Sequence, residues 1–197
     1  GVEKFAPWVR RIHFVTSGQK PEWLDTTNPK INLVNHKDYI PEQFLPTYNS
    51  VVIERYIHKI PGLADRFVYF NDDFYIINKI STERFFKNGL PRDIAVFQYN
   101  PSWSQWYIRI KNNLKIINRH FDKKKVMARY HDKWFHKSYG SKARLNYLLK
   151  PYGKFITLRT PHNAQPYLKQ TFEEVWAVAE KELTETSVNK FRAWNDY

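Results

Sequence analysis

Two adjacent aspartates, Asp72 and Asp73, directly follow an apolar run that is typical of a buried β-strand. A strand ending in two carboxylates places them at the carboxyl edge of a sheet, where open α/β sheets bind ligands. Mg²⁺, or Mn²⁺ in its place, binds carboxylate oxygens together with the oxygens of a substrate phosphate. Without a cation, two carboxylates this close repel each other in a dry site. The pair therefore predicts a metal site for a phosphorylated substrate; the alternative is a turn that only ends the strand.

Three further side chains could take part in such chemistry, although each also has an ordinary structural interpretation. His162 lies in a loop between Pro161 and Pro166, where it could act as a general base or donate to phosphate. Arg192 follows the last predicted helix, and a guanidinium can bind two phosphate oxygens at once. Glu54 lies within the first predicted helix. In isolation, a turn histidine, a solvated arginine and a solvent-facing glutamate are the commoner interpretations.

Several other kinds of site find no support in the sequence. The chain has no cysteine, so it forms no disulfide and no thiolate metal site. Its seven histidines show no spacing typical of a zinc site. The six glycines include no Gly-x-Gly step, which excludes the Rossmann and Walker phosphate-binding motifs.

The elements that must position these residues alternate between strands and a helix in the first 80 residues. Four segments have the β-branched and apolar composition of strands: residues 11–16, 30–35, 66–71 and 74–77. Residues 49–60 carry apolar side chains at helical spacing, with Asn49 as the N-cap and Pro61-Gly62 as the stop. This order predicts an α/β fold with a mostly parallel sheet and flanking helices.

The second half is predicted to be mainly helical and basic. Helices are expected over residues 104–120 and 142–149, with a short strand or extended segment over 155–158. A third helix is expected to begin at Thr171, with Thr171 and Glu174 as a capping box, and to reach about residue 183. We expect a single catalytic domain over residues 1–197. Its expected parts are an α/β part (1–80), a variable basic helical insertion (81–160) and a returning catalytic segment (161–197).

The formal net charge of +13 is concentrated in one third of the chain. Residues 101–170 carry 16 basic and 2 acidic side chains, whereas residues 1–100 carry 13 and 11. Such a concentration indicates an anionic partner, unless it is only a solvated helical face. Several aromatic side chains lie among these cations: Trp103, Trp106, Tyr107, Tyr130 and Trp134. A non-catalytic module that binds nucleic acid, a polyanionic glycan or anionic lipid is therefore the alternative to an enzyme.

Three runs in the first half are specific in combination: Arg10-Arg-Ile-His-Phe-Val-Thr16, Leu45-Pro-Thr-Tyr-Asn-Ser50 and Tyr69-Phe-Asn-Asp-Asp-Phe74. With their neighbours over residues 3–77, they resemble the second conserved region of the Stealth family. Members of this family are bacterial capsular and exopolysaccharide phosphotransferases, related to the eukaryotic N-acetylglucosamine-1-phosphotransferase α/β subunit. A weaker block resembles the third conserved region: His162 with Pro166, Phe172-Glu-Glu174 and Lys190-Phe-Arg192.

The resemblance implies a glycosyltransferase-like, Rossmann-type nucleotide-sugar fold and a reaction at phosphorus. An acceptor hydroxyl attacks the sugar-bearing phosphate of a nucleotide-diphosphate sugar, a nucleoside monophosphate leaves, and a sugar phosphodiester forms. The aspartates would hold Mg²⁺ against the diphosphate, Arg192 would bind the transferred phosphate, and His162 would take the acceptor proton. The residues expected to be catalytic are Glu54, Asp72, Asp73, His162 and Arg192. The residues expected to bind substrate are Arg11, Asn49, Ser50 and Asn71.

The chain departs from the family pattern in two places. It lacks the opening strand, approximately Asp-x-Val-Tyr-Thr-Trp-Val, that contributes to the donor site, and it lacks the fourth conserved region. We therefore expect a fragment of a longer protein. A conventional glycosyltransferase, which moves the sugar without its phosphate, is a close alternative.

The expected surroundings follow from the same resemblance and from composition. No run of about 18 apolar residues is present, and the N-terminus lacks the layout of a signal peptide. We expect a cytoplasmic protein, peripheral at the inner face of a bacterial membrane through contact with anionic lipid. The expected partners are a nucleotide-diphosphate sugar donor and a glycan acceptor, with no nucleic acid.

Overall fold

The computed structural model describes residues 1–99 and 105–197, which form a mixed α/β chain of two compact units. One unit is Gly1–Arg92 with Asn163–Arg192, and the other is Asp93–His162 with Ala193–Tyr197. The described strands are β1 (Ile12–Thr16), β2 (Ile31–Asn35), β3 (Arg66–Tyr69), β4 (Phe86–Lys87), β5 (Leu90–Pro91) and β6 (Gln165–Leu168). The described α-helices are α1 (Val2–Phe5), α2 (Ser50–Arg55), α3 (Gln105–His120), α4 (Lys123–Arg129), α5 (His131–Trp134), α6 (Arg144–Leu148) and α7 (Lys169–Ser187).

The first unit contains three small two-stranded sheets, so the prediction of a mostly parallel sheet is wrong. β1 and β2 pair in parallel, from Ile12 opposite Ile31 to Thr16 opposite Asn35. β3 pairs with neither of them; it pairs antiparallel with β6, and Tyr69 lies opposite Gln165. The partner of β3 thus comes from a segment nearly a hundred residues later, which the pattern of the first 80 residues does not reveal.

The strands predicted over residues 11–16 and 30–35 are confirmed to within one residue, but the later two differ. β3 ends at Tyr69 because its four-residue partner ends there, and the chain then turns, with the Phe74 N–H donating to the Asn71 carbonyl at 3.2 Å. Residues 74–77 form no strand. Just beyond them, the Ile80 N–H donates to the Phe5 carbonyl at 3.0 Å, which holds this stretch against the N-terminal segment instead of in a ladder.

The core of the first unit forms where α2 and the 3₁₀ turn after it, Ile57–Lys59, pack against β2 and α7. Val34, Val52 and Ile60 are buried in it. α2 is shorter than predicted because the helical pattern continues beyond Arg55 only as this turn. Trp176 of α7 packs on Tyr56, with ring centroids 5.0 Å apart, and its indole N–H donates to the Arg55 carbonyl at 3.2 Å. These contacts hold the first part of α7 against the end of α2.

α7 begins at Lys169, two residues before the expected start, so the predicted capping box at Thr171 is wrong. β6 leads directly into the helix, and the Lys169 N–H donates to the Asp65 carbonyl beside β3 at 2.8 Å. The pairing of β6 with β3 therefore determines that the helix begins at Lys169, and Thr171 lies inside its first turn. A non-helical residue at Ala179 divides α7 into two helical parts.

The second unit is mainly helical, as predicted, and has its own core. Phe97, Met127, Trp134 and Phe155 are buried together. α3 confirms the helix predicted over residues 104–120, although Ser104 and Trp103 lie outside the described residues. α6 confirms the helix predicted over 142–149 in shortened form, and residues 155–158 are extended, with one bridge from Leu158 to Phe97. In the described part of the chain, no helix is long and apolar enough to cross a bilayer.

Candidate functional site

The N-terminus of α2 is organised by the completely buried side chain of Asn49. Its amide oxygen accepts a hydrogen bond from the Val51 N–H at 3.1 Å, which caps the helix as predicted. Its amide nitrogen donates to the carbonyls of Asn189 and Phe191, at 3.4 and 3.3 Å. One asparagine therefore joins the start of α2 to a segment 140 residues later in the chain.

The segment after α7 is held to residues 48–50 by further contacts. The Tyr48 N–H donates to the Lys190 carbonyl at 2.8 Å, and the Tyr48 and Phe191 rings stack at 5.3 Å with 14° between their planes. Arg192 then donates from Nε and Nη2 to the Ser50 hydroxyl, at 3.1 and 2.6 Å. The guanidinium, which is exposed, is thus positioned at the first turn of α2.

Glu54 lies one turn further along α2 and is partly buried. The Tyr69 hydroxyl donates to its carboxylate at 3.1 Å, which links α2 to the last residue of β3. Burial raises the pKa of Glu54, while the Tyr69 hydrogen bond and the positive charges of Arg192 and Arg55 act against that rise. Glu54 therefore keeps its proton to higher pH than an exposed glutamate and lies within electrostatic reach of Arg192.

Asp72 and Asp73 are exposed at the two central positions of the turn closed by the bond between Phe74 and Asn71. This turn places both carboxylates three and four residues beyond Tyr69, on the surface. Within residues 1–99 and 105–197, no group of three or more histidines and carboxylates is arranged to hold a metal ion. The pair therefore fits only a metal ion whose remaining ligands come from substrate phosphate and water, as Mg²⁺ accepts.

His162 is exposed and is the last residue of the second unit before the chain enters the first. It lies three residues before Gln165, and Gln165 pairs with Tyr69. Asp72 lies three residues after Tyr69, so the segments carrying His162 and Asp72 leave the β3–β6 ladder at the same end. Three residues span at most about 11 Å of chain.

Arg11 lies at the start of the parallel sheet formed by β1 and β2, apart from the other candidate residues. It is exposed and directly precedes β1, so it marks the amino end of the parallel pair. Burial, and after it the positive charge of Arg11, lowers the pKa of His13, whose Nδ1 lies 3.0 Å from the Asn32 amide nitrogen. The structure thus brings Asn49, Ser50, Glu54 and Arg192 together, and leaves Arg11 at the opposite end of β1 from the cavity described next.

A cavity of about 690 Å³ opens at the carboxyl ends of β1 and β2, where open α/β folds bind ligands. One side is formed by the residues that follow the two strands, and the other by the stretch leading to α2. The lining residues are Ser17, Gln19, Asn35, His36, Lys37, Glu42, Leu45, Pro46, Thr47 and Tyr48. Since Tyr48 also stacks on Phe191, the cavity adjoins the segment that carries Arg192.

Comparison with known proteins places this chain in a family. Residues 1–93 match the model for conserved region 2 of Stealth proteins. The chain is 40% identical, over 99% of its length, to the capsular polysaccharide phosphotransferase WcwK of Streptococcus pneumoniae. This chain belongs to the Stealth family. The chain spans 59% of that relative's length.

Two other relatives show the same pattern of similarity to this Stealth chain. The exopolysaccharide phosphotransferase cps2G of Lactiplantibacillus plantarum is 38% identical over 99% of the chain and 58% of its own length. The receptor polysaccharide phosphotransferase WefC of Streptococcus gordonii is 37% identical over the whole chain and 59% of its own length. The similarity therefore extends through the second unit as well as the conserved region.

Three residues of the site had no role in the sequence interpretation. Tyr69 bonds Glu54, and its position near the end of the apolar run before the acidic turn was the available signal. Tyr48 and Phe191 stack on each other, which no spacing in the sequence could indicate because they are 143 positions apart. Asn49, by contrast, was expected both to cap α2 and to bind substrate; it caps α2, and its buried amide also donates to backbone carbonyls.

Proposed function

We propose that this Stealth chain forms part of a sugar-1-phosphate transferase of capsular or exopolysaccharide synthesis. The observation that carries the proposal is the placement of Arg192 on Ser50, beside Glu54, at the end of a segment fixed to α2 from far along the chain. A guanidinium so held offers preorganised donors to a phosphate without a reorganisation cost during reaction. The names of the relatives support the same reaction class.

In the proposed reaction, the oxygen of an acceptor hydroxyl attacks the sugar-bearing phosphorus of a nucleotide-diphosphate sugar. A new P–O bond forms, the bridging P–O bond of the diphosphate breaks, and a nucleoside monophosphate leaves. Arg192 binds the phosphoryl oxygens during this exchange, and Ser50 and Glu54 orient the guanidinium. His162 takes the acceptor proton.

Asp72 and Asp73 are proposed to hold Mg²⁺, or Mn²⁺, together with the donor diphosphate. When bound, the ion would reduce the negative charge that an incoming oxygen meets at phosphorus. Two exposed carboxylates in a tight turn supply only part of a coordination shell, so we expect metal affinity to depend on the presence of the diphosphate. Asn71, whose carbonyl closes the turn, is proposed to shape this acidic loop.

The remaining parts of the proposal concern fold, partners and location. We propose a glycosyltransferase-like relationship for the first unit, a glycan as acceptor and a position at the inner face of the bacterial membrane. The basic second unit supports contact with anionic lipid, because exposed lysines and arginines are attracted to a negative surface. Its exposed cations include Lys111, Lys115 and Arg119 on α3.

The test is product analysis of the full-length protein offered a panel of nucleotide sugars with Mg²⁺. Release of nucleoside monophosphate, with a product heavier by a sugar phosphate, supports the proposal; release of nucleoside diphosphate indicates a conventional glycosyltransferase. Asp73→Asn and His162→Ala should abolish transfer without loss of helical circular dichroism, whereas Asp132→Asn in the second unit should retain it. Turnover by the Asp73 or His162 variant contradicts the role assigned to that residue.

A further inference from the structure

The cavity at the carboxyl ends of β1 and β2 has the size and chemistry of a binding site, and none of the catalytic residues lines it. Its volume of about 690 Å³ lies within the range of roughly 300–1,000 Å³ that is usual for small-molecule sites. A pyranose ring or a disaccharide would fit this space. Its location next to the Arg192 segment raises the question of what it binds.

The lining of the cavity combines polar and apolar groups in similar measure and carries almost no net charge. Lys37 and Glu42 contribute one charge of each sign, and burial lowers the pKa of His36, which favours its neutral form at pH 7. The remaining polar groups are hydroxyls and amides, which can both donate and accept. Those of Ser17 and Gln19 bond each other at 2.6 Å and are exposed, so a ligand can replace that bond. A diphosphate would find no excess of cations here, whereas a neutral polyhydroxyl ligand finds matching partners.

An exposed aromatic pair borders the cavity on the side of α2. Tyr48 and Phe191 stack nearly in parallel, yet 65% of Tyr48 and 68% of Phe191 remain accessible to solvent. Large aromatic surfaces left exposed in this way commonly mark binding sites. The C–H-rich face of a sugar ring stacks on such rings while its hydroxyls remain free to bond polar neighbours. Phe191 directly precedes Arg192, so a ring bound here would lie next to the proposed phosphate-binding group.

We propose that this cavity binds a neutral sugar residue of the glycan acceptor, with Tyr48 and Phe191 as its stacking surface. The proposal rests on the proposed function, because it places the acceptor beside Arg192, the proposed phosphate-binding residue. The acceptor is assigned to this cavity because its charge-balanced lining disfavours the diphosphate of the donor. Gln19, Asn35 and Thr47 would bond the hydroxyls of the sugar. Specificity for the acceptor would then depend on residues outside the catalytic set.

The first test is ligand-observed saturation-transfer NMR on the chain with methyl glycosides of glucose, galactose and N-acetylglucosamine. We expect a signal for at least one glycoside, reduced at least fivefold in Tyr48→Ala and in Gln19→Ala. Tyr147→Ala is the matched control, because Tyr147 is an exposed tyrosine that packs on a phenylalanine, Phe135, at 4.6 Å in the second unit. No glycoside signal in the wild type, or equal loss in the control, overturns the proposal.

Two further measurements separate this site from the proposed function. Uridine and cytidine monophosphates are tested in the same way. If these nucleotides give a signal that Tyr48→Ala and Gln19→Ala reduce, and the glycosides give none, the cavity binds a nucleotide and the acceptor assignment is wrong. In the full-length protein, Gln19→Ala should raise the acceptor KM severalfold and leave the donor KM unchanged. An unchanged acceptor KM with intact sugar-phosphate transfer refutes the cavity assignment alone. Glycoside binding that depends on Tyr48, together with release of nucleoside diphosphate, refutes the transfer chemistry alone.

Discussion

Replacing Asn49 separates the two structural tasks that its side chain performs. In Asn49→Ser, the hydroxyl can still accept from the Val51 N–H, because serine is as good an N-cap as asparagine. The two amide donations to the Asn189 and Phe191 carbonyls are lost. In Asn49→Ala, the cap is lost as well. The pair of variants therefore distinguishes helix capping from attachment of the Arg192 segment.

The expected magnitudes follow from these bonds. A lost N-cap costs about 1 kcal/mol. The two amide bonds, which are long at 3.4 and 3.3 Å, should contribute about 0.5–1 kcal/mol each. Asn49→Ser should thus lower the free energy of unfolding by about 1–2 kcal/mol and Asn49→Ala by about 2–3 kcal/mol. The difference between the variants, about 1 kcal/mol, is the contribution of the cap.

Amide hydrogen exchange provides an assay that locates the loss. The Tyr48 N–H is protected by the Lys190 carbonyl, so its exchange reports detachment of the segment. In Asn49→Ser we expect it to exchange about 5–30-fold faster, the factor that corresponds to 1–2 kcal/mol, while the Val51 N–H changes less. Asn35→Ser is the matched control, because Asn35 caps the 3₁₀ turn at His36–Asp38. Unchanged exchange at Tyr48, or equal acceleration at both amides, would refute the role of Asn49 as the anchor.

The other predictions concern Glu54, Lys123 and Arg192. The pKa of Glu54 is raised in the folded chain above its ordinary value of 4.5, so the folded chain keeps a proton that the unfolded chain has already released. The free energy of unfolding should therefore fall as pH rises from 4.5 through the folded pKa. Glu54→Gln should reduce this slope in urea titrations between pH 4 and 8, and an unchanged slope contradicts the burial argument. Lys123 is buried and donates to the carbonyls of Leu149 and Tyr152, so Lys123→Met should destabilise by about 2–3 kcal/mol. Lys124→Met is the control, because Lys124 is adjacent and exposed. Equal free energies of unfolding for the two variants would contradict the prediction. Arg192→Lys keeps the charge but loses the two-nitrogen contact with Ser50; it should reduce kcat of the full-length protein at least tenfold, and full activity would mean that charge alone suffices.

The local elements of the first unit could be predicted from the sequence because local residues determine them. β1 and β2 are rich in β-branched and apolar residues, and Asn49 has the residue type and position of an N-cap. The acidic turn at Asp72 was likewise visible as two carboxylates after a strand. Each of these features depends on fewer than ten consecutive residues.

The sheet pairing and the attachment of Arg192 could not be predicted in the same way. β3 pairs antiparallel with β6, a strand that lies nearly a hundred residues later in the sequence. The sequence around β3 therefore does not determine which strand it pairs with. Thr171 had the sequence of a capping box, yet the bond from Lys169 to Asp65 started the helix earlier. Tertiary contacts overrode local preference at both positions.

The β3–β6 ladder connects the acidic turn to the segment that carries Arg192, although the two lie about 120 residues apart. Tyr69 and Gln165 pair at the end of the ladder from which the segments of Asp72 and His162 depart, so both segments start from one fixed point. β6 leads directly into α7, and α7 leads to the segment that Asn49 holds against α2. The same short ladder therefore fixes the starting point of the acidic turn and of the helix that leads to Arg192. It follows that a single change that unpairs Tyr69 from Gln165 should affect the acidic turn and the Arg192 segment together.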